Sequence, residues 1–538
     1  MSRIFQVTGP PGTGKTTYLS ETSRHAAQSR GGDAVVLASL TRAAAAEIAG
    51  RDLPIPPENV GTLHALCYRA LGQPKLAEPK AGVWNEAIGR ERPSWTLTDP
   101  SAGKRGVDDA PERPGGGEGD VLLAELGVLR ATMAPPEAWP VRVQAFAKRW
   151  GAWKAECGLV DFTDLLELAM KHVPRCPGNP EVMLGDEAQD WSQLESRLFR
   201  EHWGQHAETV VLVADPDQSI YEWRGADPRL FLDQPVPDEN RRLLEQSYRV
   251  PRKIVDHALA WVRKIEGRAD VAYQARADDG AVLHTTSTCR LLSRHFKEDL
   301  EVWLAEGKSV MLLASCGYML RAPIRELRDW GIPFWNPYRT KQGAWNPLRR
   351  GTRKTKSGAD RVLAFLVQQG EREWHRDEIA LWARSLQTGV LRRGLKTLLE
   401  KTPEKLLSNP WRADELAMLF TSETHAEKAL DGDLRWFEES LTEIGKRSMR
   451  FAISVAAKRG VEALSKAPQI TVGTIHSVKG GQADVVVLFP DLSMQAMRGW
   501  ESRREHDALV RLFYVAMTRA RETLVLADPA TPLHVRLR

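Results

Sequence analysis

Short apolar runs that end in polar, glycine-rich or acidic residues recur along this chain. They are Ile4–Thr8, Ala34–Ala38, Val182–Leu184, Val210–Ala214, Val310–Ala314 and Val485–Phe489. Stretches with helical spacing lie between several of these runs, a pattern typical of parallel sheets joined by crossover helices. In such sheets, ligands bind at the carboxyl ends of the strands, which is where the polar residues fall. The pattern therefore predicts an α/β fold whose strand ends carry the functional groups.

Two long segments interrupt the strands. The first lies between His64 and Asp186. Within it, Ser101–Asp120 is rich in glycine, proline and charge, which predicts a mobile surface loop. Helical patterns follow at Val121–Arg130 and Val141–Lys154. We interpret the segment as a mainly helical insertion.

The second segment, from about Thr340 to Pro468, also has mainly helical spacing, for example in Arg361–Gln369 and Glu415–Phe420. The simplest organisation is two cores with parallel sheets, each interrupted by a mainly helical insertion. The predicted boundaries are 1–75 and 160–245 for the first core, 76–159 for its insertion, 246–340 and 465–538 for the second core, and 341–464 for its insertion.

Composition excludes several classes of protein. The 538 residues are 42% hydrophobic and 27% charged, the mixture of an ordinary globular protein with several domains. Five cysteines occur singly, without the spacing of a zinc site or a redox pair, so we expect no cysteine-bound metal, no disulfides and a reducing compartment. The first strand begins almost at once, and no apolar run approaches the ~18 residues of a membrane span, so neither a signal peptide nor a membrane partner is expected.

Charge and aromatic content point weakly to a polyanion. The net charge is +5, which mildly favours such a partner. The chain also contains 18 tryptophans. Most of these are expected to pack in cores or between domains, and a minority would be available as stacking platforms for nucleic-acid bases.

The residues after the first apolar run, Gly9-Pro10-Pro11-Gly12-Thr13-Gly14-Lys15-Thr16, have the spacing of a phosphate-binding loop. Glycine lets the backbone wrap closely around oxygens, and the amides then point inward at the N-terminus of the following helix. Lys15 is placed to neutralise phosphates, and the Thr16 hydroxyl to ligate Mg²⁺. The alternative is an ordinary glycine-rich turn before a helix, but such a turn does not require all eight residues of this pattern. The chain is therefore expected to bind a nucleoside triphosphate.

A pair of acids follows the strand-like run Val182–Leu184. Asp186 is suited to holding Mg²⁺ through water, and Glu187 to orienting or deprotonating an attacking water. Adjacent acids at a strand end are common surface residues, but behind a phosphate loop they predict a hydrolytic site.

A third motif follows the run Val210–Ala214. Its Gln218 is a neutral donor and acceptor suited to sensing a γ-phosphate or its water. Tyr221, Trp223 and Arg224 supply what a base-stacking platform requires. Because Tyr221 and Trp223 alternate, the two rings need not face the same way. The alternative is a core tryptophan beside a surface arginine.

Two arginines lie far from these motifs in sequence, Arg249 in Ser247-Tyr248-Arg249 and Arg519 in Tyr514–Arg521. An arginine that reaches a γ-phosphate from a second domain stabilises charge in the transition state, because it stays charged and offers a planar fork of donors. The alternative for each is an ordinary salt bridge.

In their order along the chain, these motifs resemble those of superfamily 1 helicases of the UvrD/Rep/PcrA type. The matching stretches are Gly9–Thr17, Leu37–Ile48, Gly61–Cys67, Asp161–Leu166, Asp186–Asp190, Ala214–Ala226, Ser247–Arg249, Thr471–Gly480 and Tyr514–Arg521. They are very specific as a set. The resemblance implies two RecA-like domains with ATP and Mg²⁺ in the cleft.

The resemblance also implies roles for individual residues. The nucleotide contacts would be Gly9, Pro10, Pro11, Gly12, Thr13, Gly14, Lys15, Thr16, Thr17, Asp186, Tyr248 and Gly480, with Tyr248 stacking on the adenine. The catalytic residues would be Lys15, Glu187, Gln218, Arg249 and Arg519, the two arginines as fingers. The metal ligands would be Thr16 and Asp186. The contacts with single-stranded nucleic acid would be Ser39, Thr41, His64, Tyr221, Trp223, Arg224, Thr474 and His476.

By this resemblance, the expected function is ATP-driven movement along single-stranded DNA with unwinding of duplex. Lys479-Gly480 resembles the branch that moves 3′→5′. Expected partners are single-stranded DNA, junctions with duplex, and repair, replication or recombination proteins, with the chain a monomer or weakly self-associated. We expect the protein to be cytoplasmic and associated with the nucleoid. If it is encoded by a phage, we expect it in the cytoplasm of the host.

Other functions remain open at this stage. One is an ATP-gated DNA-binding remodeller; another is a helicase subunit of a recombination or repair complex. A self-contained nuclease is not expected, because only 17 residues follow Arg521. A purely structural relic of a phosphate-loop protein is disfavoured by the intact Lys15, Glu187, Gln218 and Arg519.

The chain also departs from the family pattern. Only eight residues precede Gly9, so the upstream glutamine with which the family reads adenine is not expected. Thr17 stands where close relatives often have arginine. The basic cluster Arg349, Arg350, Arg353, Lys354 and Lys356 opens the second insertion, and is either a duplex contact or a solvated charged face.

Overall fold

The structure of the chain is a computed structural model. It describes residues 2–40, 50–51, 53–98, 117–266, 268, 271–339, 343–352, 355–366, 374–395, 397, 410–411, 413–503 and 505–537. Thr41, most of Leu37–Ile48, Arg353, Lys354 and the 101–116 part of the predicted surface loop lie outside these ranges.

A six-stranded sheet forms the first core, with the order β3-β2-β4-β5-β1-β6. Its strands are β1 (Arg3–Thr8), β2 (Val35–Ser39), β3 (Val60–Thr62), β4 (Val182–Gly185), β5 (Thr209–Ala214) and β6 (Arg241–Leu243). Every neighbouring pair is parallel. All residues of β2 and β4 are buried, as expected for a parallel sheet covered on both faces.

The remaining strands form a second six-stranded sheet and two small pairs. They are β7 (Gln246–Pro251), β8 (Gln274–Arg276), β9 (Ala281–Thr285), β10 (Val310–Ala314), β11 (Phe334–Trp335), β12 (Trp374–His375), β13 (Pro410–Trp411), β14 (Ile470–Thr474), β15 (Ala483–Leu488) and β16 (Ala520–Ala527). The larger sheet has the order β11-β14-β10-β15-β16-β9, in which β11 pairs with β14 and β15 with β16 in parallel. The fold is therefore α/β, as the apolar runs predict, and its two six-stranded sheets are consistent with the two RecA-like cores that the resemblance implies.

Helices connect the strands. In the N-terminal half they are α1 (Lys15–Arg30), α2 (Leu63–Ala70), α3 (Ala81–Ile88), α4 (Glu118–Ala131), α5 (Val141–Cys157), α6 (Phe162–His172), α7 (Gln193–Ser196), α8 (Arg229–Leu232) and α9 (Arg252–Val262). Beyond these lie α10 (Arg294–Ala305), α11 (Arg321–Trp330), α12 (Gly358–Leu366), α13 (Arg376–Ala383), α14 (Ala413–Ala417), α15 (Glu423–Leu430), α16 (Leu434–Ser440), α17 (Glu443–Arg459), α18 (Met494–Glu501) and α19 (His506–Met517).

Several helix boundaries differ from the sequence-based expectation, and the structure gives a physical reason for two of the differences. The loop predicted to extend to Asp120 gives way to α4 at Glu118, where acidic side chains in the first turn favour the helix dipole. The helix predicted over Glu415–Phe420 ends at Ala417, and Phe420 instead pairs with Leu391 in an isolated antiparallel bridge.

Tryptophan is mainly a core residue in this chain, as expected. In the first insertion, Trp84, Trp150 and Trp153 are almost fully buried and pack on one another with ring centroids 4.9–5.4 Å apart. This aromatic cluster gives helices α3 and α5 a core of their own.

The chain divides into two compact units. The first contains Met1–His284, Leu313–Cys316 and Thr474–Arg538, and the second Thr285–Leu312 and Gly317–Gly473. The geometry described below for the phosphate loop, the acidic loop and the predicted nucleic-acid residues belongs to the first unit, whereas the basic cluster that opens the second insertion belongs to the second. Within the described ranges, none of the helices has the length and apolar character needed to cross a bilayer.

Candidate functional site

The predicted phosphate loop joins β1 to α1 in a conformation that depends on glycine. Gly12 and Gly14 have φ values of 77° and 84°, which residues with a side chain adopt only at a cost. A Cβ atom at Gly9 would lie 2.6 Å from Thr13 Oγ1 and 2.9 Å from Lys15 Cγ. The loop therefore encloses a cradle that a larger residue would fill.

The N-terminus of α1 is suited to an anion. Gly14 provides no side-chain cap, and the first turn of this 16-residue helix contains no acidic residue. The N–H groups at such a helix end have no intrahelical partners and attract negative charge. The loop and helix thus fit the phosphates of a nucleotide.

Lys15 folds back onto its own loop. Its Nζ donates to the carbonyl of Gly9 at 2.5 Å and lies 3.3 Å from that of Pro10. Asp215 Oδ2 is 3.9 Å away. Burial lowers the pKa of Lys15, and Asp215 and Glu187 act in the opposite direction. The ammonium group is held by weak carbonyl contacts that a phosphate would outcompete.

The two predicted acids follow β4. Asp186 is buried, and Glu187 occupies the left-handed region with φ of 54°. The amide of the fully buried Gln189 donates to Glu187 and, at 3.0 Å, to Asp190. Its oxygen accepts the backbone N–H of Asp215 at 3.0 Å. No role was predicted for Gln189 from the sequence, although its place between two acids at a strand end was a usable signal.

Lys479 is a second residue for which no role at the acidic loop was predicted. Its Nζ donates to Asp190 and to the Gln218 carbonyl, and lies 3.7 Å from Glu187 and 5.1 Å from the Tyr221 ring centre. Burial opposes ionisation of Glu187, but Lys479 and other nearby cations outweigh it and lower the pKa of Glu187. Burial raises the pKa of Asp190 to about 6.

Arg519 reaches the loop after β5 from the other end of the chain. Its buried guanidinium donates to Gln218 Oε1, while its Nε donates to the Val515 carbonyl at 2.9 Å. Gln218 in turn donates to Asp215, whose pKa is raised by burial. The structure therefore joins the predicted sensor and one predicted arginine finger directly.

The second predicted finger lies on β7, against the phosphate loop. The backbone N–H of Tyr248 donates to the Gly12 carbonyl at 2.8 Å, and Ser247 Oγ donates to the Pro11 carbonyl at 3.1 Å. A Cβ atom at Gly12 would lie 2.5 Å from Arg249 Cβ. The ring of Tyr248 is 73% exposed, so it is available for stacking.

Most of the predicted nucleic-acid residues cluster after β5. The Tyr221 and Trp223 ring centres are 6.2 Å apart, and Trp223 is 39% exposed. Arg224 donates to the buried Glu195 at 2.9 Å, and His64 Nδ1 lies 3.7 Å from the same carboxylate. Despite their alternation, the two aromatic rings contact each other.

His476 joins this cluster, whereas two other predicted residues are buried. The His476 ring centre is 6.2 Å from that of Tyr221, and its Nε2 lies 3.2 Å from the Ile220 carbonyl. Ser39 and Thr474 are 1% and 5% exposed, so neither presents a side chain to solvent in this conformation.

A groove of about 890 Å³ runs beside Trp223 and Arg224. Its lining combines apolar residues of α4 with polar residues of the motifs, including Val121, Val128, Glu195, His64, Trp223 and Arg224. An apolar wall facing an exposed indole and a guanidinium suits planar bases more than phosphates.

Two further residues predicted to contact the nucleotide are Thr17 and Gly480. Thr17, where relatives often have arginine, accepts a hydrogen bond from Arg51 Nη1 at 3.3 Å, so a guanidinium reaches this position from another part of the chain. Gly480 has φ of 90° and no atom within 4 Å of an added Cβ, which leaves its backbone accessible.

The residues present fit a magnesium site completed by phosphate. Thr16 lies in the first turn of α1, and Asp186 follows β4 at the same carboxyl edge of the first sheet. No group of three or more histidine, cysteine, aspartate or glutamate side chains that could hold a metal occurs in the part of the chain that the structure describes. Mg²⁺ needs no such cage, because it is usually bound by one or two protein ligands plus phosphate and water.

The basic cluster of the second insertion is only partly described. Arg350 pairs with the buried Asp360, and Arg349 donates to the Arg339 carbonyl at 3.2 Å. Such contacts show how these two side chains are held, and leave both hypotheses for the cluster open.

Two family models match the chain. Residues 1–224 match a model described as an AAA domain, and residues 469–527 match the UvrD-like helicase C-terminal domain. The two matches cover the segments that carry the phosphate loop and Arg519.

Curated relatives agree with these models. The chain is 25% identical over 295 residues to the putative ATP-dependent DNA helicase YjcD of Bacillus subtilis, covering 50% of this chain and 37% of that one. It is 36% identical over 132 residues to the ATP-dependent DNA helicase Rep of Salmonella typhimurium, covering 22% and 19%. It is 27% identical over 154 residues to the RecBCD enzyme subunit RecB of Escherichia coli, covering 28% and 13%.

The chain thus spans well under half the length of each of these relatives. The paired RecA-like cores, the ordered motifs and both family models nevertheless agree. The chain is therefore similar to the UvrD-like helicases of superfamily 1 over the segments that carry its motifs.

Proposed function

We propose that the chain is a DNA-stimulated ATPase that moves 3′→5′ along single-stranded DNA and unwinds duplex. The observation that carries the proposal is the bond between Arg519 and Gln218, beside the phosphate loop and Glu187. It supplies a composite site in which groups from both ends of the chain meet. The direction of movement rests on the resemblance of Lys479-Gly480 alone.

The proposed hydrolysis divides its work among residues of this site. Glu187, whose pKa is lowered, stays ionised near neutral pH and is suited to orient or deprotonate water. Gln218 would sense the γ-phosphate, and Arg519 and Arg249 would neutralise charge that develops in the transition state. Exposed Tyr248 would stack on the base.

Mg²⁺, held by Thr16 and Asp186, would supply charge neutralisation at the β- and γ-phosphates. Lys15 would leave the carbonyls of its own loop and bind the same phosphates. The site thus changes partners on binding nucleotide, and the loss of the γ-phosphate would reverse that change.

Movement along DNA would follow from differential affinity. Arg249 and Arg519 gain contacts with the nucleotide only while the two RecA-like cores are drawn together, so binding and hydrolysis alternate two arrangements. We retain the four-part division into two cores and two insertions, with the boundaries given above, as part of this proposal. Stacking on Tyr221 and Trp223 would provide a grip that tolerates any sequence.

Strand-displacement and ATPase assays on 3′-tailed, 5′-tailed and blunt DNA, with RNA equivalents, test the proposal. We expect ATPase stimulation by single strands and unwinding of the 3′-tailed substrate only. Lys15→Ala and Glu187→Gln should abolish turnover while single-strand binding persists. Unwinding of the 5′-tailed substrate alone would contradict the direction, and turnover in either variant would contradict the site.

A second candidate function is that of a helicase subunit in a recombination or repair complex, without strong unwinding of its own. The similarity to a protein named as the RecB subunit of the RecBCD enzyme favours it. This candidate predicts DNA-stimulated ATPase with weak strand displacement by the isolated chain. A remodeller of protein–DNA complexes predicts the same, and displacement of a bound protein from single-stranded DNA would separate the two.

A further inference from the structure

A buried cluster of charged side chains joins the first insertion to helix α6. Asp161 is the N-cap of α6. Its carboxylate accepts hydrogen bonds from Arg130 Nη1 of α4 at 2.9 Å and from Lys154 Nζ of α5 at 2.6 Å. These three side chains are only 7–11% exposed. The Trp150 indole donates to the same carboxylate at 2.9 Å. The Asp161–Leu166 motif therefore anchors two insertion helices, a role the sequence did not assign to it.

Arg130 connects three carboxylates of this cluster and of α6. Its fork donates to Asp161, to Asp164 at 2.6 Å and to Glu167 at 2.6 Å. Burial opposes ionisation of Asp161, but Arg130 and Lys154 outweigh it and lower the pKa of Asp161 to about 2. Removing one partner of such a cluster leaves uncompensated charge in a buried place.

The last turn of α4, which carries Arg130, also contacts the turn that carries Trp223. Gly225, with φ of 92°, follows Trp223, and a Cβ atom at Gly225 would lie 3.2 Å from Ala131 Cβ and 3.3 Å from Thr132 Cγ2. Val128, one turn earlier, lines the same groove as Trp223. Helix α4 and the Trp223 turn therefore pack closely, because Gly225 places no side chain between them.

We propose that Arg130 is a positioning residue that fixes α4 against the Trp223 turn, and thereby sets how tightly the groove holds single-stranded nucleic acid. The part concerning nucleic acid rests on the proposed function. The cluster pulls the last turn of α4 toward α6 on one side, and the close approach at Gly225 transmits that position to the groove on the other. A planar fork suits this position, because the guanidinium donates to Asp161, Asp164 and Glu167 from separate nitrogens in fixed directions, whereas an ammonium group donates from a single atom.

Arg130→Gln tests the proposal, with Arg149→Gln as the matched control. Arg149 lies on α5 and pairs with Glu91, but that pair is exposed. Hydrogen exchange without nucleotide or DNA would follow the amides of Thr132 and Gly225, which bond to the Val128 and Glu222 carbonyls. We expect both amides to exchange at least about tenfold faster in Arg130→Gln and unchanged in Arg149→Gln.

The second readout is the concentration of single-stranded DNA that gives half-maximal ATPase stimulation. It should rise about tenfold in Arg130→Gln, because small displacements of binding groups are costly, while the rate without DNA stays unchanged. If Arg130→Gln does not fold, Arg130→Lys replaces it, with intermediate values expected in both readouts.

Wild-type exchange and wild-type half-saturation in the folded Arg130 variant would overturn the proposal. Faster exchange with unchanged half-saturation would overturn the part that links Arg130 to the groove. A wild-type chain that DNA does not stimulate would instead overturn the proposed function, and the exchange result would still decide whether Arg130 positions α4.

Discussion

The side chain of Gln189 is fully buried and makes three hydrogen bonds at the carboxyl end of β4. Its amide nitrogen donates to Glu187 and Asp190. Its amide oxygen accepts a hydrogen bond from the backbone N–H of Asp215, the first residue after β5. Glu187 needs such support, because its left-handed backbone conformation is unfavourable for a residue with a side chain. We infer that Gln189 keeps the carboxylate aimed and ionised.

Replacing Gln189 with leucine, which is similar in size, should impair catalysis more than binding. We expect the kcat of the DNA-stimulated ATPase to fall roughly 10- to 100-fold with little change in the KM for ATP, because Glu187 loses its aim. Gln189 is one of the groups that lower the pKa of Glu187, so its loss raises that pKa. The acid limb of the kcat profile, which reports ionisation of Glu187, should therefore move to higher pH.

Gln193→Leu is the control for this measurement, because Gln193 is exposed at the start of the nearby α7. It should leave the rate and its pH profile unchanged. Equal effects of the two substitutions would show that the amide of Gln189 has no special role.

A pH effect is expected at His476, whose pKa is lowered to about 4 by burial. The unfolded chain binds a proton at the ordinary pKa of about 6.5, so the folded state is disfavoured as the pH falls from 6.5 toward 4. Between pH 7.5 and 5, wild type should lose roughly 1–2 kcal/mol more unfolding free energy than His476→Gln. Denaturant titrations at both pH values measure this, and parallel losses would contradict the pKa shift.

At the scale of elements, the packing of β7 on the phosphate loop carries the next prediction. Gly12→Ala and Gly31→Ala both place a side chain at positive φ, which costs about 1–2 kcal/mol of stability. At Gly31 an added Cβ meets nothing within 4 Å, whereas at Gly12 it would lie 2.5 Å from Arg249 Cβ. Fluorescent-nucleotide titration should show binding lost in Gly12→Ala and kept in Gly31→Ala. Retained binding in both would mean that β7 can move away freely.

The apolar runs predicted six of the described strands, because each of these is a short apolar run with a clear end. β10 has the predicted limits, Val310–Ala314, and the chemistry-bearing Asp186 and Gln218 follow strands as expected. By contrast, the Arg130–Asp161 pair and the Arg51–Thr17 bond depend on how distant helices and loops pack. No periodicity or spacing encodes such contacts.

The same distinction explains the helix that was predicted too long. Leu419 and Phe420 continue an apolar helical spacing in the sequence, but Phe420 is 1% exposed and belongs to the core of the second insertion. Apolar residues alone do not tell a helix from a buried turn, so tertiary packing set the end of α14.

At the scale of the whole molecule, residues far apart in sequence form one site. Arg519 bonds to Gln218 across 301 positions, and Lys479 bonds to Asp190 across 289. Arg511 adds an ion pair with Glu222 at 2.7 Å. Nucleotide binding at the phosphate loop should therefore stabilise the C-terminal segment as well, since both belong to one compact unit.

Arg519→Ala tests this coupling, with Arg521→Ala as a control two residues away on β16. Arg521 is 46% exposed and lies 3.6 Å from Asp484, away from Gln218. A ligand that binds the folded state more tightly stabilises the protein more at the same concentration, so a non-hydrolysable ATP analogue should raise the wild-type melting temperature more than ADP does. That difference reports contacts made only with the γ-phosphate. It should disappear in Arg519→Ala, together with a loss of roughly 10³-fold or more in kcat, and persist in Arg521→Ala.

If Arg519→Ala keeps the full difference between the two nucleotides, the guanidinium does not reach the γ-phosphate, and its bond to Gln218 only ties the chain together.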